Sequence, residues 1–409
     1  MNADKKSFNG LSNNNRAYIY LALIVLLLTT FPLAQGWLPF GDVRPRVLFI
    51  AVTVLLFADR FFSKDLIWLY IFFVYQFLAY YASGIQFNYA NCLTQAMEFL
   101  VPIVIAPSVL PDSFQKEKKI LVRFSIITTL ITIFLTLFYV ITVDADIIRN
   151  MVVVSAWEGL DAVRGYWKLG ICSYSFALIM MCVPPVLISR YFIVQKHKIL
   201  YLLSALLVLY FVYATQVTTT FFISVFMVVI VLATRKMSVQ ETFLITIVFM
   251  VVGLFLLSTI LPVLMQLFNI ETEIGSHLAG MYEFIFEGEV SSKDAYAVDG
   301  RVELYNASYH VFLNNPLFGS VSSKGGGHTY FFDNLAKYGI IGTTPLFLFF
   351  YYRFKKTLAY LKSDEKRIYA ICVMGFVMMA IIKNIAGIDH WTYMFLYIPC
   401  FLQLTANKK

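Results

Sequence analysis

Charged side chains are scarce in this 409-residue chain: 14% of it, against about 25% in an ordinary soluble domain. With 60% hydrophobic and 17% aromatic residues, that shortage excludes a soluble globular protein and places the chain among membrane proteins. Also missing are a Walker-type phosphate loop, H-E-x-x-H and G-x-S-x-G, so nucleotide-driven work and those two hydrolase mechanisms have no support. Cysteine is sparse. None of Cys92, Cys172, Cys182, Cys372 and Cys400 belongs to a C-x-x-C pair, which removes any case for structural zinc or redox work. All five fall in apolar runs and suit small buried hydrophobes, although one Cys92–Cys172 disulfide stays open. There is no internal repeat, no low-complexity tract and no soluble domain.

What is present is a series of apolar runs close to the roughly 20 residues that cross a bilayer as a helix. Twelve stand out: 17–34, 47–58, 66–82, 90–110, 120–143 and 169–189, then 199–215, 217–234, 242–268, 340–352, 368–388 and 391–404. A backbone facing lipid must satisfy its own hydrogen bonds, and the alternating pattern of barrel strands is absent. The expected fold is therefore all-α and polytopic, one membrane domain over 1–409. The second and tenth runs are short, and the seventh and eighth are parted only by Gln216, which requires a tight hairpin.

Lys and Arg set the orientation. With the N-terminus inside, 22 of the 32 fall on the inner side, so both termini are expected in the cytoplasm. The net charge of +8 then records topology and gives no reason to invoke nucleic acid. The first run follows Lys5, Lys6 and Arg16 but lacks a small-x-small cleavage pattern after it, and reads as a retained anchor. Two outer segments emerge, 144–168 and the much longer 269–339, between the ninth and tenth spans.

The long segment reads as two short helices around a flexible centre. Val302, Tyr305, Tyr309 and Phe312 keep helical spacing, Gly300 with Glu303 resembles a helix start, and Asn315-Pro316 ends it. A second helix is expected over 329–338, closed by Gly339. His328 then sits at a helix N-terminus after Gly325-Gly326-Gly327, where the positive end of the dipole disfavours imidazolium. A neutral imidazole there can take a proton from a hydroxyl, or simply cap the loop.

Arg301 and Arg164 lie outside, against the charge trend, and a guanidinium suits an anionic ligand as well as a local pair with Asp299, Glu303, Glu158 or Asp161. Glu98 is the one carboxylate well inside a span, which suggests a functional contact or an interhelical partner. Lys383 and Asp389-His390, at the outer end of the eleventh span, are lesser candidates. Asp144-Ala145-Asp146 spells D-x-D, but on the outer side, away from nucleotides, it reads as a solvated loop. Trp37, Trp157, Trp167 and Trp391 suit an interfacial aromatic belt on the outer side.

Gly300-Arg301, Asn315-Pro316-Leu317-Phe318-Gly319, His328-Thr329 and Tyr338-Gly339-Ile340-Ile341-Gly342, in that order, resemble the large external loop of the O-antigen polymerase/ligase superfamily. The Wzy-type polysaccharide polymerases are the nearest likeness. Arg164-Gly165 and Pro184-Pro185 also fit, and the likeness covers the chain from about Arg164 onward. It implies about 12 transmembrane helices in the bacterial inner membrane. The substrate would be an undecaprenyl-pyrophosphate-linked oligosaccharide, whose repeat units are joined on the outer face among membrane lipid, with a chain-length regulator as a further partner. His328, Arg301 and Arg164 would be catalytic, with Gly327, Thr329, Asp333, Lys337 and Glu98 binding substrate, and with no metal and no cofactor. Asp333 would orient His328 or cap the loop. A ligase acting on lipid A-core is the alternative. A flippase or transporter fits less well, because its two halves would be alike.

Overall fold

The structure is a computed structural model that describes residues 30–37, 63–86, 102, 106, 115–148, 151, 160–194, 197–267, 275, 278–280, 282, 295–323, 325–385 and 387–405. Among these residues it is all-helical, with no strand. The helices are α1 (Pro32–Trp37), α2 (Lys64–Ala82), α3 (Gln115–Thr142), α4 (Leu160–Lys168), α5 (Tyr174–Ile193) and α6 (Lys198–Ala214). Then follow α7 (Thr218–Ala233), α8 (Val239–Leu267), α9 (Ala295–Asn314), α10 (Tyr330–Ala359) and α11 (Ser363–Ile382). The last, α12, joins Ile388–Thr392, a π-turn over Tyr393–Tyr397 and Ile398–Leu404.

The expected runs from 66–82 through 391–404 fall on α2, α3, α5–α8 and α10–α12, apart from 90–110. That run, apart from residues 102 and 106, lies outside the described residues, as do 47–58 and all but the end of 17–34. By length and composition α3 and α5 suffice to cross a membrane, while α2, α6, α7 and the first part of α8 are shorter apolar helices. Gln216, at φ 55°, makes the tight hairpin between α6 and α7. Three details differ from expectation. The sixth run begins at Tyr174, because Gly170 takes φ 79° and the Ser173 hydroxyl caps α5 by accepting from Phe176 N at 3.0 Å. α9 starts at Ala295, so Gly300-Arg301 lies within a helix rather than at its start. Trp391 is wholly buried, stacked on Phe350 at 5.2 Å and on Phe395 at 6.1 Å, a core residue rather than part of a belt.

Helix α3 shows why so apolar a chain folds this way. Leu121, Ser125, Thr132, Thr136 and Val140 face the interior, whereas Ile120, Phe124, Ile127, Ile131, Phe134, Phe138 and Ile141 form an exposed stripe along the whole helix. The apolar stripe of a helix in a soluble protein faces its core, so the pattern here is inverted. α2 repeats it with Ile67, Ile71, Val74, Leu78 and Tyr81 outside. The interior is built by α5, α7, α11 and α12. Met227 of α7 packs directly on Gly375 of α11, where a Cβ would come within 2.0 Å of its sulfur. Cys182 and Cys372 are buried free thiols, each directed at the other's carbonyl oxygen at 3.8 and 3.7 Å.

At the end of the bundle away from the 315–329 connection, buried cations satisfy carbonyls that helix ends leave without partners. Arg367 donates to Thr234 O at the end of α7, and Arg190 to Leu402 O of α12 at 3.3 Å. Lys118 reaches Gln403 Oε1 at 2.7 Å, and the Gln403 amide donates to Tyr360 O after α10 at 2.8 Å. Part of the basic bias at this end thus closes helices. At the other end Asp144 Oδ1 accepts from Asp146 N at 2.9 Å, a local turn that agrees with the loop reading of D-x-D.

Candidate functional site

The connection between α9 and α10, residues 315–329, carries the polar groups. Asn315 N donates back to Val311 O and Phe312 O, and Pro316 stops the helix. The chain then reverses at Gly319 (φ 71°) and lands on a break in α10 at Gly339, where φ 61° and ψ −171° form a combination open essentially to glycine. The break frees two amides from their helical acceptors. Ile340 N donates instead to Pro316 O (2.9 Å) and Ile341 N to Leu317 O (3.0 Å), while Ala336 O accepts from Ser320 N (2.9 Å). Helix α2 seals this junction. Tyr75 donates to Phe318 O at 2.9 Å, and its ring fills the space beside Gly342.

The glycine run is folded by one carboxylate. Asp333 Oδ1 accepts from Ser308 Oγ (2.5 Å) and Gly327 N (3.1 Å), and its Oδ2 accepts from Thr329 N (2.8 Å). Ser308 Oγ in turn accepts from Gly326 N at 2.8 Å. Gly326 lies so close to α9 that a Cβ would meet Leu304 O at 2.1 Å. His328 is the next residue of this turn, half-buried, with its ring 6.3 Å from that of Tyr305. Tyr305 donates to Ile382 O (2.9 Å) and Tyr330 N to Lys383 O (3.1 Å), which fastens the turn to the end of α11. Of the two roles open to Asp333, loop capping is the one its contacts describe.

Under the turn lies a polar cavity of about 100 Å³. Gly327, Thr329, Asp333 and Lys337 line it, joined by Phe72 and Gln76 of α2 and by Asn384 beyond α11. Gln76 is only 5% exposed and makes no hydrogen bond among the described residues. Lys337 likewise has no ion pair there, and the Asp333 oxygens are turned to the loop amides. An amide and an ammonium that open into the cavity with no protein partner among the described residues can both be served by a hydroxyl-rich or anionic group. Burial, and then the neighbouring Tyr338, push the Tyr330 phenol well above its ordinary value, so it forms a neutral wall.

Four of the five residues expected to bind substrate therefore share one cavity beside His328. The fifth, Glu98, lies outside the described residues. Arg301 is on α9, two turns before Ser308. Arg164 is on α4, which packs on α1: a Cβ on Gly36 would lie 2.4 Å from Lys168 N, and Trp37 Nε1 donates to Lys168 O at 3.1 Å. It is not among the residues lining the cavity. Asp389, buried, accepts from Ser173 Oγ at 3.1 Å where α5 and α12 begin, a separate cluster. Sequence reasoning missed Gln76, Asn384 and Ser308. Gln76 did leave a signal, as the lone amide in an otherwise apolar or aromatic run, whereas Ser308 is one of several small polar residues on α9.

No family model matches the chain, and no curated protein matches it either.

Proposed function

We propose that this chain is a polytopic inner-membrane polymerase that joins lipid-linked glycan repeat units on the outer face. About twelve spans carry it, with both termini in the cytoplasm and residues 269–339 outside. The inverted stripes of α2 and α3 support the membrane reading, since exposed apolar faces of that length need a lipid solvent.

The observation that carries the enzymatic reading is the carboxylate-clamped glycine turn. It holds His328 beside a polar cavity in which Gln76 and Lys337 have no partner among the described residues. In the reaction, a sugar hydroxyl of one lipid-linked unit attacks the anomeric carbon of another. The new C–O bond forms as the bond from that carbon to the diphosphate oxygen breaks. His328 accepts the hydroxyl proton, and undecaprenyl diphosphate leaves as the anion. Diphosphate is a good leaving group that needs positive charge more than a proton, which is the role given to Arg301 and Arg164. Gln76, Lys337 and Asn384 orient a sugar within the cavity. No step needs a metal ion.

The test is the size distribution of surface glycan from cells lacking the protein, complemented with wild type or His328→Ala. Single repeat units on the normal acceptor with no long ladder, in the null and in His328→Ala, support a polymerase that uses His328. Long polymer stranded on the lipid carrier indicates a ligase instead. A full ladder with His328→Ala, where the null has none, removes His328 from the mechanism.

A further inference from the structure

A cavity of about 410 Å³ lies at the end of the bundle away from the glycine turn, between α3, α5, α6 and α12. Its walls are mostly aliphatic, among them Ile126, Ile133, Val186, Leu187 and Val208. Several of the hydroxyls that reach it are already satisfied. Thr129 and Tyr393 share a hydrogen bond of 2.6 Å, Tyr397 and Thr30 one of 3.1 Å, and Ser125 donates to Val122 O at 3.0 Å. Tyr201, Ser204 and His197 add a few more polar groups to walls that are otherwise aliphatic, and a cavity lined in this way takes a mainly apolar guest rather than a water cluster. One wall is the π-turn of α12, which brings the Tyr393 and Tyr397 rings to 5.0 Å, and such turns recur at functional sites.

The two helices that frame it, α3 and α6, carry exposed apolar faces. Beside it, Lys119 and Arg123 of α3 and His197 and Lys198 at the start of α6 are exposed, with no acidic partner among the described residues. Glu117, the acid of the first turn of α3, is buried. An aliphatic slot framed by helices with exposed apolar faces and flanked by exposed cations complements one kind of molecule in both shape and charge.

We propose that this cavity seats one acyl chain of an anionic phospholipid, with the phosphate held by Arg123, His197 and Lys198. This rests on the membrane reading of the chain and is independent of its enzymatic activity. Size favours a fatty acyl chain over a polyprenyl one. At about 30 Å³ for a methylene, taken as the size of a water molecule, the cavity holds a dozen or so carbons, far short of eleven isoprene units.

The experiment uses the full-length protein, delipidated in detergent, offered equimolar phosphatidylglycerol and phosphatidylcholine of matched chains, and weighed intact by native mass spectrometry. The expected result is one phosphatidylglycerol per chain, retained at least tenfold over phosphatidylcholine. Ser204→Trp, which fills the slot, should lose both lipids, and the milder Val208→Phe should weaken both. Arg123→Gln with Lys198→Gln should erase only the preference for phosphatidylglycerol. Equal retention of the two lipids by wild type overturns the proposal without recourse to any variant. So does undisturbed phosphatidylglycerol binding by Ser204→Trp, or displacement of the lipid by equimolar undecaprenyl phosphate. Glycan polymerisation does not enter these readouts, so failure here and failure of the polymerase reading are separable.

Discussion

Gly319 and Gly339 stand face to face: a Cβ on Gly319 would lie 2.4 Å from Gly339 N, and one on Gly339 would lie 2.4 Å from the Leu317 carbonyl. Two short motifs 20 residues apart are thus halves of one joint. The Asn315-Pro316-Leu317-Phe318-Gly319 turn supplies the acceptors that the break in α10 requires, and the break supplies donors and room for the turn. This joint fixes where α10 begins relative to α9, and with it the position of the turn carrying His328.

Replacing either glycine should therefore do more than strain one residue. Gly339→Ala carries a backbone cost of about 1–3 kcal/mol for its φ/ψ region and a further ~1–3 kcal/mol for the forced separation. Gly84→Ala is the matched control. Gly84 has a similar φ of 68° but nothing within 4 Å of the added Cβ, so it should lose only part of the strain component. Thermal unfolding of the purified variants measures the difference. Equal melting temperatures for the two would show that the joint tolerates being opened.

Asp333→Asn keeps the size of the side chain and changes its chemistry. The carboxylate accepts from three donors on both oxygens, whereas an amide offers one accepting oxygen and presents its NH2 to an N–H. The expected cost is about 2 kcal/mol, the scale of a hydrogen bond to a charged group. It should be local, seen as faster proteolysis within the exposed part of 320–329 and loss of the glycan ladder. A variant with unchanged proteolysis would mean that the clamp does not hold the turn.

Most of the helical layout was legible in the sequence, because hydrophobic runs and their polar breaks report helices directly: Gln216 marks one hairpin, and Pro316 and Gly339 mark two helix breaks. The start of α9 was misplaced. Gly300 resembles a boundary, yet the helix runs through it from Ala295. Trp391 was misassigned for a related reason: sequence position near a span end says nothing about whether the ring faces lipid or the aromatic core of Phe350, Phe376 and Phe395. The loop half of the cavity was visible as a motif. Its other half was not, because Gln76 and Asn384 are brought to it by helix packing over more than 250 and about 50 residues of chain, respectively. Single-sequence patterns carry no such pairing.

The orientation has a direct check in thiol labelling. Ser322 and Ser363 are both exposed, one in the 315–329 connection and one at the opposite end where α11 begins, and the four described cysteines are buried, so background should be low. With a membrane-impermeant maleimide on intact spheroplasts, Ser322→Cys should react, and Ser363→Cys only after permeabilisation. The reverse pattern would turn the chain over and put the cavity on the cytoplasmic side.

Gln76 offers the sharpest separation of structure from function. The Gln76 amide makes no hydrogen bond among the described residues, so Gln76→Leu, close in volume, removes no such contact and should leave the melting temperature unchanged or raise it. If Gln76 orients a sugar, the same substitution should cut polymer formation by roughly tenfold or more, the effect of about 1.4 kcal/mol lost from the transition state. Lys337→Met should likewise cut polymer formation without loss of stability, since its ammonium has no ion pair to lose among the described residues. A core role predicts the opposite pairing, destabilised protein with activity falling only in proportion to its abundance. Ladder length per molecule of folded protein, measured beside the melting temperature for both variants, distinguishes the two. A more stable chain that no longer polymerises identifies Gln76 as a substrate contact.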